Sequence, residues 1–437
     1  MYQNGDTIYA LASGLGTAGV AVIRVSGPKA KETLKHLTSL KKIESSKVYF
    51  SALKDGKKVL DRAIILYFKA PHSFTGEDVV EYQVHGGRGV ISAVMQALSK
   101  IDGLRPAERG EYSRRAVING KMDLTEAEGL LDLIHAETEE QRKQALAQMD
   151  GNLGLLYEKW RKKLVHHLAY AEAFIDFPEE EIPPEKEHEI DKDIRKLLNE
   201  IEKHLNDNRS GERLREGYQI AILGAPNVGK SSLINALTKR EIAIVSQTAG
   251  TTRDIVEAHL DVAGFPVILA DTAGLRDSKE EIEAEGIRRA VKKASKADLI
   301  LFVQDSKRYP KVEKLPKELL KKQVITLWNK TDLYKLKENK TDFFISAKTG
   351  KGIQKLWDEI KTILTNSFSG GVVITRERYR VALKECVKHL KAALQVKELE
   401  LKNENLRLAA RALGRITGRI EVEELLDVIF KDFCIGK

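Results

Sequence analysis

Tyr218-Gln219-Ile220-Ala221-Ile222-Leu223 runs directly into Gly224-Ala225-Pro226-Asn227-Val228-Gly229-Lys230-Ser231, and Ser232-Leu233-Ile234-Asn235 follows. The first six residues read as a buried strand, the next eight as a glycine-rich loop with P-loop spacing, and the last as the opening of a helix. In such a setting backbone N–H groups wrap phosphates and Lys230 neutralises the β- and γ-phosphates. The Ser231 hydroxyl binds Mg²⁺, and the helix N-terminus adds the positive end of its dipole. Asn227, Val228, Gly229, Lys230, Ser231 and Ser232 are the candidate contacts.

Three later strings say which nucleotide. Asp271-Thr272-Ala273-Gly274 follows the strand-like run Val267 to Ala270. There an aspartate can hold the metal's water shell and a glycine amide can sense the γ-phosphate. Asn329-Lys330-Thr331-Asp332 ends the apolar run Val324 to Trp328. Asp332 can accept from both N1–H and the 2-amino group of guanine, two donors that adenine lacks. Ser346-Ala347-Lys348 follows Phe343-Phe344-Ile345 and can add a backbone amide to guanine O6. In this order, each at a strand end, they predict GTP binding. Small signalling GTPases orient the attacking water with a glutamine after Asp-x-x-Gly. Leu275 stands at that position and cannot hydrogen-bond. Glu280, Glu281, Glu283 and Glu285 are the nearby polar alternatives, and spacing selects none of them.

Around this core the 437-residue chain divides by pattern. Residues 1–119 read as a small α/β domain, with strand-like runs Ala18 to Val25, Ala63 to Phe68 and Val79 to Val84 and a helical stretch Val90 to Leu98. Residues 120–212 read as helical, with Leu130, Leu133, Ile134, Trp160, Leu164 and Leu168 at helical spacing. Within them Pro178, Pro183 and Pro184 and the acidic run Glu179 to Asp193 read as a solvated connection, and helix resumes at Ile190. Residues 213–370 alternate short apolar strands with helices, which predicts a mostly parallel sheet. Residues 371–437 are helical again, with Tyr379, Leu383, Val387, Leu390 and Leu394 on one face. The expected fold is thus α/β plus α, a P-loop domain inserted into a discontinuous helical domain and preceded by a small α/β domain.

Charge follows the same segments: the net values are +7, −10, +8 and +4 in chain order, which fits modules with different surfaces. Two cysteines, Cys386 and Cys434, form neither a disulfide framework nor a metal cluster. No apolar run is long enough for a bilayer, and the first residues do not read as a signal peptide. A reduced, cytoplasmic protein is expected.

The whole chain resembles the tRNA modification GTPase family MnmE, also called TrmE. The resemblance rests on Arg24 in its strand, Glu81-Tyr82-Gln83-Val84-His85-Gly86-Gly87, Arg105-Pro106-Ala107-Glu108-Arg109-Gly110-Glu111-Tyr112-Ser113, Lys121-Met122-Asp123-Leu124, and the end Phe433-Cys434-Ile435-Gly436-Lys437. It implies a potassium-activated GTPase whose G domains dimerise across the active site. Asn227 and the loop Ser246-Gln247-Thr248-Ala249-Gly250-Thr251 would then coordinate K⁺, mainly through carbonyls at Ser246 and Thr248. A monovalent cation beside the phosphates supplies the charge that an arginine finger gives elsewhere. Thr252 would join Ser231 at Mg²⁺, and Glu283 matches the water-orienting glutamate.

The resemblance further implies that residues 1–119 form a dimerisation domain holding a 5-formyl- or methylene-tetrahydrofolate, with Arg24, Glu81, Lys121 and Lys437 as its contacts. A glutamate can pair with a pterin's donor edge, and basic groups can meet the glutamyl carboxylates. On the residues alone, Arg24 and Glu81 read as a buried ion pair. Cys434 reads as a core residue on an apolar helix end, whereas the resemblance brings it close to the folate, where it could act as thiol nucleophile or acid. The implied assembly is a homodimer joined in a heterotetramer with the flavoprotein MnmG, which carries FAD and uses NADH. The implied product is a carboxymethylaminomethyl (or aminomethyl) group at C5 of wobble uridine, position 34, in certain tRNAs. Arg407, Arg411, Arg415 and Arg419 recur every four residues, a stripe that fits either a solvated helix face or tRNA phosphates. Two other functions fit the nucleotide motifs: an RNA-binding switch in ribosome assembly, and a folate-dependent transferase with a regulatory G domain.

Overall fold

The computed structural model describes residues 5–14, 16–176, 184–239, 242–243, 257–271, 291–334, 342–368, 371–420, 426 and 429–436, with the side chains of 170–187, 242–243 and 271 left aside. The chain forms two compact units, one of Met1–Leu131, Gln148–Arg161 and Leu413–Lys437, the other of Asp132–Ala147 and Lys162–Ala412. This division cuts across the four segments expected, since residues 120–212 and 371–437 are each shared between the two units.

In the first unit, β1 (Thr7–Leu11), β2 (Ala18–Ser26), α1 (Ala30–Leu37), β3 (Val48–Asp55), β4 (Lys58–Phe68), β5 (Val79–Gly86), α2 (Arg88–Ser99) and β6 (Leu104–Pro106) build a six-stranded sheet of order β3-β4-β5-β2-β1-β6. All pairs are antiparallel except β1 with β6. Side chains alternate across the pleat. Ile23, Val25, Tyr82 and Val84 face a core with Leu34 and Leu37 of α1 and Val94 and Leu98 of α2. Ile8 and Ala10 face the other way, onto Tyr112 of α3 (Glu111–Ile118) and Phe74.

Further along are α4 (Leu124–His135), α5 (Glu139–Met149), α6 (Asn152–Asp176), α7 (Pro184–Leu205) and α8 (Ser210–Glu216). The buried face of α4 is Leu124, Ala127 and Leu131 rather than Leu130, Leu133 and Ile134, and it packs on Leu426, Ile429, Phe430 and Phe433. The acidic connection expected up to Asp193 is shorter than the sequence suggested: α7 already begins at Pro184. Proline is at home in a first helical turn, whose N–H has no intrahelical partner.

The second unit centres on β7 (Tyr218–Leu223), α9 (Lys230–Thr238), β8 (Ile242–Ala243), β9 (Glu257–Val262), β10 (Phe265–Asp271), β11 (Leu299–Asp305), β12 (Gln323–Asn329) and β13 (Phe343–Phe344). They form a seven-stranded sheet of order β13-β12-β11-β7-β10-β9-β8, in which β9 alone runs against the others, antiparallel to both β10 and β8. The central strands are near-continuous apolar runs because both faces are covered. Ile220, Ile222, Leu299 and Leu301 pack against α9 and α10 (Ile353–Ser367), while Ala221, Leu223, Ile300 and Phe302 pack against Ala294, Ala297 and Leu319.

Beyond α10 lie α11 (Glu377–Ala393) and α12 (Leu399–Thr417). On α11, Cys386 takes the core position expected of Val387, and burial pushes its thiol up to about 12. Arg380 is buried on a cage of Asp207 (2.8 Å), Glu212 (3.2 Å) and the Leu205 carbonyl (2.8 Å), so its desolvated charge is matched. Despite its glycine, α12 runs through Gly414 and ends before Gly418. Among the described residues no helix is long and apolar enough to cross a membrane.

Candidate functional site

The strand β7 occupies the residues expected of it; β10, its neighbour on one side, and β12 and β13, beyond β11 on the other, are the strands that lead to the other motifs. Asp271 closes β10 beside Ile222, and Asn329 closes β12 in register with Asp305 of β11. Parallel pairing therefore brings four motifs, distant in the chain, to one edge of the sheet, the edge at which open α/β sheets bind ligands.

At that edge Gly229 begins α9 with φ +98°, a left-handed conformation, and a Cβ there would run into Asn329 Nδ2. Asn227 is left-handed as well, at φ +61°. Such a backbone turns successive N–H groups toward a common centre, which suits an anion. Lys230 Nζ donates to the carbonyls of Gly224 (2.8 Å) and Ala225 (2.9 Å), so its charge lies over the loop itself. The loop thus fits a phosphate chain, and Ser231, one residue into the helix, can offer its hydroxyl oxygen to a Mg²⁺ that also takes phosphates and waters.

Asn329, expected as a nucleotide contact, also joins two parts of the protein. Its side chain is buried, Nδ2 donates to Val228 O at 2.8 Å, and Oδ1 accepts from Ala347 N at 3.0 Å. One amide thereby joins the phosphate loop to the Ser346-Ala347-Lys348 turn. Guanine O6 would have to share the Ala347 amide or take the next one, at Lys348. Asp332 Oδ1 accepts from the buried Ser346 hydroxyl at 2.7 Å, and this bond holds the carboxyl below its usual range, anionic and oriented. Lys330 (φ +68°) reaches Asp305 Oδ2 at 2.8 Å. Burial works to raise Asp305, but the Lys330 bond and the Lys307 amide outweigh it and hold the carboxyl low. Neither Asp305 nor the clamping role of Asn329 was evident in the sequence, because both depend on strand register.

In the first unit Arg24 and Glu81 are cross-strand partners, joined Nε to Oε1 at 2.9 Å. The Arg24 guanidinium lies 5.3 Å from the Phe74 ring and 5.6 Å from the Tyr112 ring, and the Tyr112 hydroxyl donates to the Arg24 carbonyl at 2.7 Å. Lys121 Nζ donates to Pro71 O at 2.9 Å, so the loop that carries Phe74 to Arg24 also meets Lys121. The C-terminal tail arrives here too: Gly110 N donates to Cys434 O (3.3 Å), Arg109 bridges Ile435, and Gly436 abuts Leu11, beside the strand residue paired with Arg24. Cys434 is exposed, which corrects its reading as a core residue. Glu111 is fully buried and takes hydrogen bonds from Arg105 (2.7 and 2.9 Å), Arg115 (2.9 Å) and the Glu108 amide (2.8 Å), so that motif holds the fold.

Ser246, Gln247, Thr248, Ala249, Gly250, Thr251, Thr252, Thr272, Ala273, Gly274, Glu283 and Lys437 lie outside the described residues, as does the Asp271 side chain. Within the described residues no three His, Cys, Asp or Glu side chains come together as a metal cluster. On α12, Arg407 pairs with Glu404 (3.0 Å), and Arg411 and Arg415 also have interaction partners; Arg419, past the end of the helix, pairs with Glu158 (3.3 Å), so the stripe is not a row of unpaired charges.

The family model described as the MnmE helical domain matches residues 124–434, and that of the GTP-binding protein TrmE N-terminus matches residues 7–121. The tRNA modification GTPase MnmE of Paramagnetospirillum magneticum is 50% identical over 440 residues, covering 99% of this chain and 100% of that protein. The mitochondrial 5-taurinomethyluridine-(tRNA) synthase subunit GTPB3 of Danio rerio is 43% identical over 470 residues, covering 100% and 94% respectively. Among solved structures, Era of Aquifex aeolicus bound to GDP and aluminium fluoride is 26% identical over 41% of this chain and 68% of that one, with a TM-score of 0.27, too low to weigh on the fold. Matched from its first sheet to its last helix, this chain belongs to the MnmE family of tRNA modification GTPases.

Proposed function

We propose that this chain hydrolyses GTP to GDP and phosphate in the course of modifying the wobble uridine of certain tRNAs. The observation that carries the reading is the Asn329 clamp, which ties a phosphate-type loop to a guanine-type turn across one sheet edge. In this reading Lys230 and the loop amides hold the triphosphate and Asp332 selects guanine. Glu283 orients the attacking water. Ser231 and Thr252 would hold Mg²⁺, and Asn227, Ser246, Thr248 and Thr251 would hold K⁺; both ions supply positive charge to the phosphate oxygens. We retain the inserted arrangement, a G domain of residues 213–370 between helical segments 120–212 and 371–437.

The finer part of the proposal concerns the second substrate. The Danio relative is named for 5-taurinomethyluridine, and the product favoured here carries carboxymethylaminomethyl. Both bear a methylene on C5 and differ only in the amine attached to it. A one-carbon unit is what a tetrahydrofolate supplies, and Arg24, Glu81, Lys121 and Lys437 would hold it, with Cys434 near. A homodimer working with the flavoprotein MnmG, bearing FAD and using NADH, would complete the reaction in the cytoplasm.

Two measurements test this. Purified full-length chain should turn over GTP and not ATP, faster in KCl than in NaCl. Equal use of ATP removes the nucleotide reading, and indifference to the cation removes the potassium one. Nucleoside mass spectrometry of tRNA from a deletion strain should lack a C5-substituted wobble uridine; intact modification would favour the ribosome-assembly switch.

A further inference from the structure

Between β11 and β12 the chain runs through residues 306–322, which carry Lys307, Arg308, Lys311, Lys314, Lys317, Lys321 and Lys322 against only Glu313 and Glu318. Arg308 is paired with Glu313, and Lys322 donates to Ala297 O at 2.9 Å. The other five lysines are exposed; the Lys307 charge acts on Asp305, and among the described residues Lys311, Lys314, Lys317 and Lys321 show no ion pair. Their state contrasts with that of the arginines on α12.

The segment is held in place although little of it is helix. Tyr309 packs edge-on against Trp328 (5.0 Å) and Phe344 (5.2 Å), Leu319 is fully buried, and Glu313 N donates to Gln304 Oε1 at 3.2 Å. Residues 311–316 belong to neither helix nor strand and run from a turn, closed by Lys311 N donating to Arg308 O at 2.8 Å, to the helical turn Lys317–Leu319. Lys311, Lys314 and Lys317 recur at every third position along this stretch. The strap starts at the guanine corner of the nucleotide site, since Asp305 accepts from both the Lys307 amide and the Lys330 ammonium.

We propose that this lysine strap is a docking surface for the phosphate backbone of tRNA, an inference that rests on the tRNA-modifying reading above. Spaced ammonium groups on a segment anchored by Tyr309, Leu319 and the Glu313 amide match a polyanion with repeated charge. The strap reads no bases, because its aromatic ring is packed inward instead of being offered for stacking. It has only single three-residue helical turns, without the amphipathic helix that inserts into a lipid surface.

The test compares the full-length chain with K311Q/K314Q/K317Q/K321Q and with a control of equal charge change, K41Q/K42Q/K57Q/K58Q. Unmodified tRNA transcript is titrated by fluorescence anisotropy across a range of KCl. Losing four phosphate contacts should flatten the slope of log K against log salt by about 3 and weaken binding at least ~10-fold near 0.1 M salt. The control should bind as the parent does, and both variants should keep the parent's affinity for GDP. A strap variant with the parent's affinity and slope, or a control equally impaired, overturns the proposal while the function stands. A parent chain that binds no tRNA at all removes the function on which it rests. Anionic vesicles binding the parent but not the strap variant, with RNA affinity unchanged, would assign the surface to lipid instead.

Discussion

Replacing Asn329 by alanine removes a buried amide that satisfies two main-chain groups at once, Val228 O at 2.8 Å and Ala347 N at 3.0 Å. A buried polar group left without its partner costs about 1–3 kcal/mol, so the pair is worth ~2–6 kcal/mol before relaxation. The loop edge lies near solvent, and water recovers part of that, leaving roughly 2–4 kcal/mol, or about 30- to 1,000-fold in GDP affinity. The second hydrogen of Nδ2 remains for guanine N7, so the measurement must separate clamp from base contact. Titration calorimetry with GDP and with 7-deaza-GDP does so, because the deaza base has no acceptor at that position. Most of the N329A penalty should persist with 7-deaza-GDP, and thermal unfolding should shift by only a few degrees. A penalty that vanishes with 7-deaza-GDP would show that Asn329 acts on the base alone, and the clamp argument would be wrong.

Glu283→Ala should leave GDP affinity within a few-fold and slow GTP turnover by a factor of about 100 or more, the usual scale for losing a positioned proton acceptor; normal steady-state turnover would pass the role to Glu280, Glu281 or Glu285. Glu111→Gln should lower the unfolding free energy in urea by about 3 kcal/mol, because Arg105 and Arg115 lose a buried counter-charge. Burial acts to raise the Glu111 carboxyl, but Arg105, the Glu108 amide and Arg115 together hold it low. Its stabilisation is therefore full above the unfolded carboxyl range near pH ~4.3 and is lost as acid titrates the folded form. The gap between parent and variant should close in acid, and one that widens there would contradict the assignment. Gly436→Ala puts a methyl against Leu11 O at φ +98°, so residues 434–436 should leave their seat. Hydrogen exchange at the Gly110 amide, which donates to Cys434 O, should accelerate while GTP turnover is unchanged; undiminished protection would place the tail's hold elsewhere.

The nucleotide motifs were legible because phosphate and guanine recognition use contiguous residues, and each string had to end a strand. Strand β7 accordingly appears residue for residue where the apolar run placed it. What the sequence hid depends on pairing across distance. Asn329 is 101 residues from Val228, and only parallel register brings them together. Phe74 and Tyr112 flank Arg24 from a loop and a helix that carry no local sign of it. The start of α7 was missed because prolines and glutamates suggest a connection, whereas both are favourable in a first turn. Cys386 and Val387 adjoin on α11 and compete for one helical face, and a one-residue offset in phase decides between them.

Arg24 also shows why a structural reading and a ligand reading need not exclude each other. The cross-strand pair is real, at 2.9 Å with both side chains mostly buried, as the residues alone suggested. Yet the bond runs from Nε to Oε1 and uses neither the terminal guanidinium nitrogens nor Oε2. Arg24 and Glu81 therefore fix each other's orientation while keeping a donor edge and an acceptor edge on the same face of the sheet. Phe74 and Tyr112 add two rings at that position, so a flat heteroaromatic group meets apolar faces as well as charge. A ligand bound there would extend the pair rather than break it and would not bear the cost of separating two half-desolvated charges. An Arg24–Glu81 pair joined through both terminal nitrogens would have offered no such edge.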